Sequence, residues 1–355
     1  MKKLFESFAI KDLTLNNKVV MAPLTRSRAK LDGTPTEMMA TYYQQRATAG
    51  LIIAEATQVS QQGQGYIATP GIYTIEHVHG WKQVVQKVHQ AGGHICLQLW
   101  HVGRISHEEF QPNHDAPVAP SAIQANAKVY NQQGFLDVSQ PRELSVEEIE
   151  GIVNDYVKAA ENAKAAGFDM IEIHAANGYL IDQFLRDKTN HRNDEYGGSV
   201  TNRAKFLMEI IDAVQKVYPA CKIGCRIAPV SEFNDISDSD PESLFSYVAE
   251  ELGKQGLGYL HVIEGHTTGD RNNQPFNYQK LYQIFKRSGG IATMANNGYT
   301  KELAEAAQDE IDLICFGRPF ISNPDLVQKL QENIPLTPGD ESTFYGGDEK
   351  GYIDY

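Results

Sequence analysis

Short apolar runs rich in β-branched residues recur along the chain, and segments whose apolar positions repeat every three or four residues separate them. The runs are 18–22, 51–56, 94–100, 170–174, 222–227, 257–263, 291–295 and 313–316. Between them, Ala204, Leu207, Ile210, Ile211 and Val214 mark one buried helical face. Thr34-Pro35-Thr36-Glu37 reads as a capping box with proline at the first helical position, and Ser145 with Glu148 forms a second box. Asn323-Pro324-Asp325 is expected to open the last helix in the same way. Eight strands alternating with helices predict an α/β fold, a (β/α)8 TIM barrel, with a doubly wound open sheet as the alternative.

Two segments exceed what a minimal barrel needs. Residues 102–144 show no helical period, but 127–130 and 135–138 flank Asn131-Gln132-Gln133-Gly134, which predicts a hairpin in an excursion after the third strand. Residues 337–355 are rich in Gly and Tyr and read either as a loose end or as a lid near the barrel mouth. The whole of 1–355 is expected to form a single domain.

Composition narrows the partners. The 355 residues are 41% hydrophobic and 22% charged, ordinary for a globular chain with a large core. Lys plus Arg number 32 against 45 Asp plus Glu, a net charge of −13, and no basic cluster exceeds the Met1-Lys2-Lys3 start, which argues against nucleic acid as a partner. No stretch reaches the ~18 apolar residues of a membrane helix, and Glu6, Lys11 and Asp12 interrupt the place where a signal-peptide core would lie, so a cytoplasmic location is expected. Cys96, Cys221, Cys225 and Cys315 all fall in apolar strand-like segments without metal-type spacing and read as reduced core thiols.

A barrel carries its chemistry just past the C-terminal ends of its strands. Asn297-Gly298 and Gly317-Arg318 follow the last two strands, where phosphate groups commonly bind, and favour a phosphate-bearing ligand over structural glycine turns. No Lys stands at a strand end to form a Schiff base, and no carboxylate cluster is placed to hold a metal. His101, His174 and His266 lack the spacing of a zinc motif, so no metal is expected and a cofactor would carry the chemistry. His174 and Asn177 can both donate to one substrate oxygen while Tyr179 delivers a proton, although a satisfied rim histidine beside a turn Asn has the same spacing. Arg226 and Gln98 end strands at the same mouth, where an Arg stabilises charge on a ring or forms a salt bridge and a Gln amide reads a pyrimidine-like edge.

With these residues in place, the chain resembles the Old Yellow Enzyme family of flavin mononucleotide (FMN) ene-reductases, most of all its N-ethylmaleimide and nitroester reductase branch. The resemblance runs nearly end to end, through Met21-Ala22-Pro23-Leu24-Thr25-Arg26, Gln98-Leu99-Trp100-His101, Asn177-Gly178-Tyr179-Leu180, Phe344-Tyr345-Gly346-Gly347 and Gly351-Tyr352. Its most specific stretch is Asp194-Glu195-Tyr196-Gly197-Gly198-Ser199 followed by Asn202-Arg203-Ala204.

The resemblance implies a tightly but non-covalently bound FMN, with Pro23, Leu24, Thr25 and Ala56 lining the isoalloxazine and the Thr25 hydroxyl on its O4. It implies that Gln98 reads the pyrimidine edge, that Arg226 is the cation beside N1, and that Asn297, Gly298, Gly317 and Arg318 form the phosphate cradle. His174 and Asn177 match the donor pair for the substrate oxygen, Tyr179 the proton donor, and Tyr66, Trp100, Phe233 and Tyr345 the aromatic residues around the substrate. Asn297 stands where relatives often have Gly, which matters if the backbone there needs positive φ, and Ala175-Ala176 replaces the more usual Ser-Ala. The implied function is ping-pong reduction of activated C=C bonds in enones or maleimides, or of nitro compounds and nitrate esters. NADPH, or failing that NADH, is the expected hydride donor, and the protein is expected to work as a monomer or weak dimer. The rival readings are a flavin-free phosphate-binding isomerase and a non-catalytic flavin or quinone binder. A dienoyl-CoA reductase would need a cysteine cluster and a second nucleotide-binding domain.

Overall fold

In the computed structural model, which describes residues 3–271 and 274–355, the eight expected runs close into one parallel barrel. Its strands are β1 (Val19–Met21), β2 (Leu51–Gln58), β3 (Ile95–Trp100), β4 (Met170–Ala175), β5 (Ile223–Ile227), β6 (Tyr259–Ile263), β7 (Ala292–Asn296) and β8 (Leu313–Phe316), paired in chain order with β8 returning to β1. Both faces of each strand are covered, which is why the strands read as continuous apolar runs rather than as alternating ones. The open doubly wound sheet is excluded by the closure. Met1 and Lys2 of the basic start lie outside the described residues.

The lower lumen is packed by Val20, Leu51, Ile53, Cys96, Met170, Tyr259, Ala292, Met294, Leu313 and Cys315. An antiparallel pair, Phe8–Ile10 with Leu13–Leu15, adds Ile10, Leu13 and Leu15 to that cluster and closes the barrel floor. Outside, the helices α1 (Glu37–Gln45), α2 (Ile75–Gln90), α3 (Val146–Ala166), α4 (Leu180–Leu185), α5 (Val200–Val214), α6 (Pro241–Lys254), α7 (Tyr278–Arg287), α8 (Lys301–Ala306), α9 (Arg318–Ser322) and α10 (Leu326–Glu332) surround the strands. The expected face of α5 is fully buried, and each of Leu207, Ile210, Ile211 and Val214 contributes about 1.5–3 kcal/mol by leaving water. No helix among the described residues is long and apolar enough to cross a membrane.

Local capping follows the sequence with two corrections. The Ser145 box on α3 forms as expected, with Glu148 N on Ser145 Oγ at 3.3 Å and Ser145 N on Glu148 Oε2 at 2.9 Å. The first helix, however, is capped by Thr36, whose Oγ1 accepts from Met39 N, because Thr34 N is already bound by Asp32 Oδ1 at 2.9 Å. Likewise Asn323-Pro324 does not cap α10, which starts at Leu326. The Asn323 amide is turned away, donating to the carbonyls of Pro319 and Thr337 and accepting from Thr337 N. A third correction concerns Cys221, which sits half-buried in a 3-10 turn (Ala220–Lys222) ahead of β5, while the other three thiols are buried in strands. A turn residue preceding an apolar run shares its composition, so the boundary was not legible.

The excursion after β3 contains the expected hairpin, Lys128–Asn131 against Gly134–Asp137, with Gln132-Gln133 as its two-residue loop and Asn131 Oδ1 accepting from Gln133 N. Val118–Ala119 beside Arg142–Glu143 closes the base of the excursion. The C-terminal tail is tied down rather than loose. Arg26 donates to the carbonyls of Phe344 at 2.8 Å and Gly351 at 2.9 Å, Arg28 donates to those of Thr343 and Asp348, and Tyr352 is fully buried.

Candidate active site

The strand ends enclose a cavity of ≈ 340 Å³, the size expected of a cofactor site. Pro23, Leu24 and Thr25 from β1, Arg226 from β5, Asn297 and Gly298 after β7, and Gly317 and Arg318 after β8 all line it, with Asn177 and Tyr345. Asn297 holds φ 108°, so the position does take the left-handed backbone that glycine favours. Its side chain compensates: Nδ2 donates to the carbonyls of Glu264 at 2.6 Å and His266 at 2.9 Å. Arg318 donates to the Thr268 carbonyl, which ties the β8 loop to the β6 loop.

Ala56 and Gln98 are not on that wall. Ala56 packs with Trp100, Val102 and Tyr179. Gln98 points into the lumen, where its amide Nε2 donates to Glu172 Oε1 at 2.7 Å, and His261 Nδ1 sits 2.8 Å from Glu172 Oε2. Register explains the grouping, since Gln98 pairs with Glu172, His174 with Arg226, and Arg226 with His261, so alternate residues of four strands stack as polar layers above the apolar floor. Burial works to raise the Glu172 carboxyl, but His261, Arg226 and Gln98 together hold it below the ordinary carboxylate value. Arg226 Nη2 donates to Asn296 Oδ1 at 2.7 Å, which in turn is anchored through Nδ2 on the Cys315 carbonyl. The Arg226 Nε, buried at the cavity wall, has no hydrogen-bond partner among the described residues.

A second cavity of ≈ 430 Å³ shares Thr25 and Tyr345 with the first and is walled by Tyr66, Tyr179, Phe233, Asn234 and the hairpin residues Lys128, Tyr130 and Phe135. Trp100 lines neither cavity. It is buried behind Tyr66, with ring centroids 5.8 Å apart and nearly parallel, and meets Tyr179 edge-on at 4.9 Å. His174 lies against the same two rings, 6.5 Å from Trp100 and 5.2 Å from Tyr179. Asn177 therefore lines the first cavity and Tyr179 the second, with Tyr66, Phe233 and Tyr345 beside Tyr179 on the second wall, while His174, like Trp100, lines neither and packs edge-on against the Tyr179 ring.

The electrostatics suit a neutral donor and a protonated acid. Burial, then Arg226 and His261, push the His174 imidazolium well below its usual range, so the ring is neutral at physiological pH. Tyr179 is pushed up to about 12, mainly by burial, and its hydroxyl lies 3.3 Å from that of Tyr66. His101, at the end of β3, is a buried structural group: its pKa falls to about 3, and Nδ1 accepts from Gly103 N.

The turn carrying Asn177 is held in place from below. Asn177 and Gly178 have φ 62° and 72°, Gly178 N donates to Asp182 Oδ2 at 3.0 Å, and Asp182 is paired with Arg186 at 2.8 Å. A side chain at Gly178 would place Cβ 2.8 Å from the Phe233 carbonyl. Sequence reasoning gave no role to Glu172, His261 or the α4 brace, and placed Asn296 at a strand end without assigning it one. The alternation Gln98/Trp100 and Glu172/His174 was the available signal for the lumenal pair; nothing local marked the others.

Comparison with known proteins gives the family of the chain. Residues 3–337 match the model of the NADH:flavin oxidoreductase / NADH oxidase family. Among characterised sequences, 12-oxophytodienoate reductase 2 of Arabidopsis thaliana is 43% identical over 351 residues, 96% of this chain and 92% of that protein. The 12-oxophytodienoate reductase 1 of Oryza sativa subsp. japonica is 41% identical over 357 residues, covering 99% and 92%. Among solved structures, morphinone reductase in complex with tetrahydroNAD superposes with a TM-score of 0.93 at 45% identity, covering 99% of this chain and 96% of that one. The old yellow enzyme homologue of Zymomonas mobilis gives 0.93 at 42% identity, covering 99% of both.

Proposed function

Because the chain belongs to the NADH:flavin oxidoreductase / NADH oxidase family, we propose that it reduces activated C=C bonds at the junction of its two strand-end cavities. It is a flavin oxidoreductase of the Old Yellow Enzyme type that binds FMN non-covalently and takes hydride from a reduced nicotinamide. The residues present fit that cofactor: the buried Arg226 guanidinium has an uncommitted N–H that would suit an acceptor atom of a ring, and the Asn297-Gly298 and Gly317-Arg318 turns would offer a phosphate a cation. Bound FMN supplies hydride transfer in two halves, from the nicotinamide and then to the alkene.

The chain's own residues supply the rest. Pro23, Leu24 and Thr25 would bound the ring, with Arg226 at its pyrimidine edge, and Asn297, Gly298, Gly317 and Arg318 would hold the phosphate, while Ala56 and Gln98 stand off that wall, Gln98 with its Nε2 on Glu172. His174 and Asn177 donate to the substrate's electron-withdrawing oxygen and stabilise the charge that develops there; loss of one such donor costs on the order of 3 kcal/mol. Tyr179 gives its proton to the α carbon, and its pKa of about 12 keeps that proton in place at neutral pH. Tyr66, Phe233 and Tyr345 exclude water around the alkene, with Trp100 stacked behind Tyr66. The observation that carries this reading is that Asn177 and Tyr179 line two cavities that share Thr25 and Tyr345, with a neutral, buried His174 packed 5.2 Å from the Tyr179 ring.

NADPH is the proposed donor in preference to NADH, and enones or maleimides are the proposed substrates, with nitro compounds within the same chemistry. Stopped-flow traces with each nicotinamide at equal concentration decide the first point; faster reduction by NADH would reverse it. Tyr179→Phe is expected to leave reduction by NADPH intact and to slow reoxidation by 2-cyclohexenone about 10²-fold or more. Unchanged reoxidation would reject its proton-donor role.

A further inference from the structure

The substrate-anchoring role of Asn177 requires its carboxamide to face the cavity with nitrogen rather than oxygen, since an acceptor-only substrate atom is repelled by Oδ1. The loops after β5 and β6 decide this orientation. Ser231 Oγ, buried, accepts from Thr267 N at 3.1 Å and from Phe233 N at 3.4 Å, so its lone pairs are committed and its hydrogen must be donated. Its remaining neighbour is Thr267 Oγ1 at 2.7 Å. Thr267, receiving that hydrogen, donates its own to Asn177 Oδ1 at 2.7 Å. Asn234 Nδ2 meanwhile fixes the Asn177 backbone by donating to its carbonyl at 2.8 Å, which leaves side-chain rotation as the remaining freedom.

We propose that Thr267, set by Ser231, is a positioning residue that locks the Asn177 carboxamide with its N–H2 toward the substrate and so selects ligands anchored through an acceptor oxygen. The hydrogen bonds run in one direction, Ser231 to Thr267 to Asn177, and end on the carboxamide's only acceptor. Thr267 and Asn177 both line the first cavity, so the relay ends where the substrate oxygen is to be held. The inference rests on the functional reading above, in which Asn177 is one of the two donors.

The test uses the FMN-loaded enzyme and two probes, 4-chlorophenol binding followed by absorbance across pH and steady-state reduction of 2-cyclohexenone. Thr267→Val keeps the side-chain shape and removes the hydroxyl. It is expected to raise the phenol Kd and the enone KM about three- to tenfold, the worth of one hydrogen bond, and to raise the pH at which bound phenol ionises. Thr267→Ser restores both, and Ser231→Ala gives a smaller change in the same direction. In the Asn177→Ala background, Thr267→Val changes neither quantity, because its effect passes through Asn177. Melting and flavin content of each variant report any general loss of structure. The inference is overturned if Thr267→Val binds phenol like the parent while Asn177→Ala does not, if the valine effect persists at full size without Asn177, or if serine fails to restore binding. Parent-like phenol binding by Asn177→Ala overturns the functional reading, and this inference with it.

Discussion

Tyr352 anchors the C-terminal tail, and removing its ring should loosen the cofactor cavity from a distance. The side chain is fully buried, stacks on Tyr42 with centroids 4.0 Å apart at 8°, and lies under the Arg28 guanidinium at 4.4 Å and the Arg26 guanidinium at 5.1 Å. Truncating a buried aromatic to Ala costs about 3–5 kcal/mol, and here the loss falls on a segment held to the barrel by a few arginine-to-carbonyl bonds. The tail should therefore open locally before the barrel unfolds. Phe344 and Tyr345 leave the cavity wall when it does, so Tyr352→Ala is expected to weaken FMN retention and to expose the tail to protease. Tyr352→Phe is the sharp control. The hydroxyl is buried with no partner among the described residues, so its removal should be neutral or stabilising by about 1 kcal/mol. The assays are FMN release on dilution and limited trypsin digestion at the Lys350 bond. Parent-like flavin retention and protease resistance in the alanine variant, or equal losses in both variants, would refute this account of the tail.

Two further changes follow from the same structure. Burial pushes the Glu55 carboxyl up to about 7, against the hydrogen bonds from Arg26 N and the Tyr43 hydroxyl. A folded-state pKa above the unfolded one gives stability that is complete below about pH 4.5 and is lost as pH rises through about 7, on the order of 3 kcal/mol in all. Melting temperature should fall from pH 5 to pH 8 in the parent and fall less in Glu55→Gln; identical slopes would contradict the assignment. Asn297→Ala keeps a Cβ at φ 108° and removes the hydrogen bonds to the buried Glu264 carbonyl and the part-buried His266 carbonyl. At about 1 kcal/mol each, it should raise the FMN dissociation constant by up to about thirtyfold, the ceiling reached if the loop is ordered only in the bound state, with an unchanged constant counting against the loop's role.

Much of the barrel was legible because its signals are local. Strands covered on both faces leave unbroken apolar runs, and the Ser145-Glu148 box and the α5 face are readable within a few residues of sequence. Residues just past the runs were collected at one mouth by the closure of the sheet, so His174, Asn177, Arg226 and the Asn297-Gly298 turn could be grouped beforehand. What escaped notice depends on contacts between distant segments. Thr36 rather than Thr34 caps α1 because Asp32 competes for Thr34 N, and Asn323 abandons its helix for the tail. The floor strands read as ordinary polar-apolar sequence, and Thr267 sits 90 residues from the carboxamide it orients.

The central claim is best tested on the purified protein under anaerobic conditions, by recording its visible spectrum before and after NADPH and again after 2-cyclohexenone. The account predicts a flavin spectrum that bleaches with NADPH and returns with the enone. A colourless protein that takes up no added FMN, or a bound flavin that the enone fails to reoxidise, would contradict it.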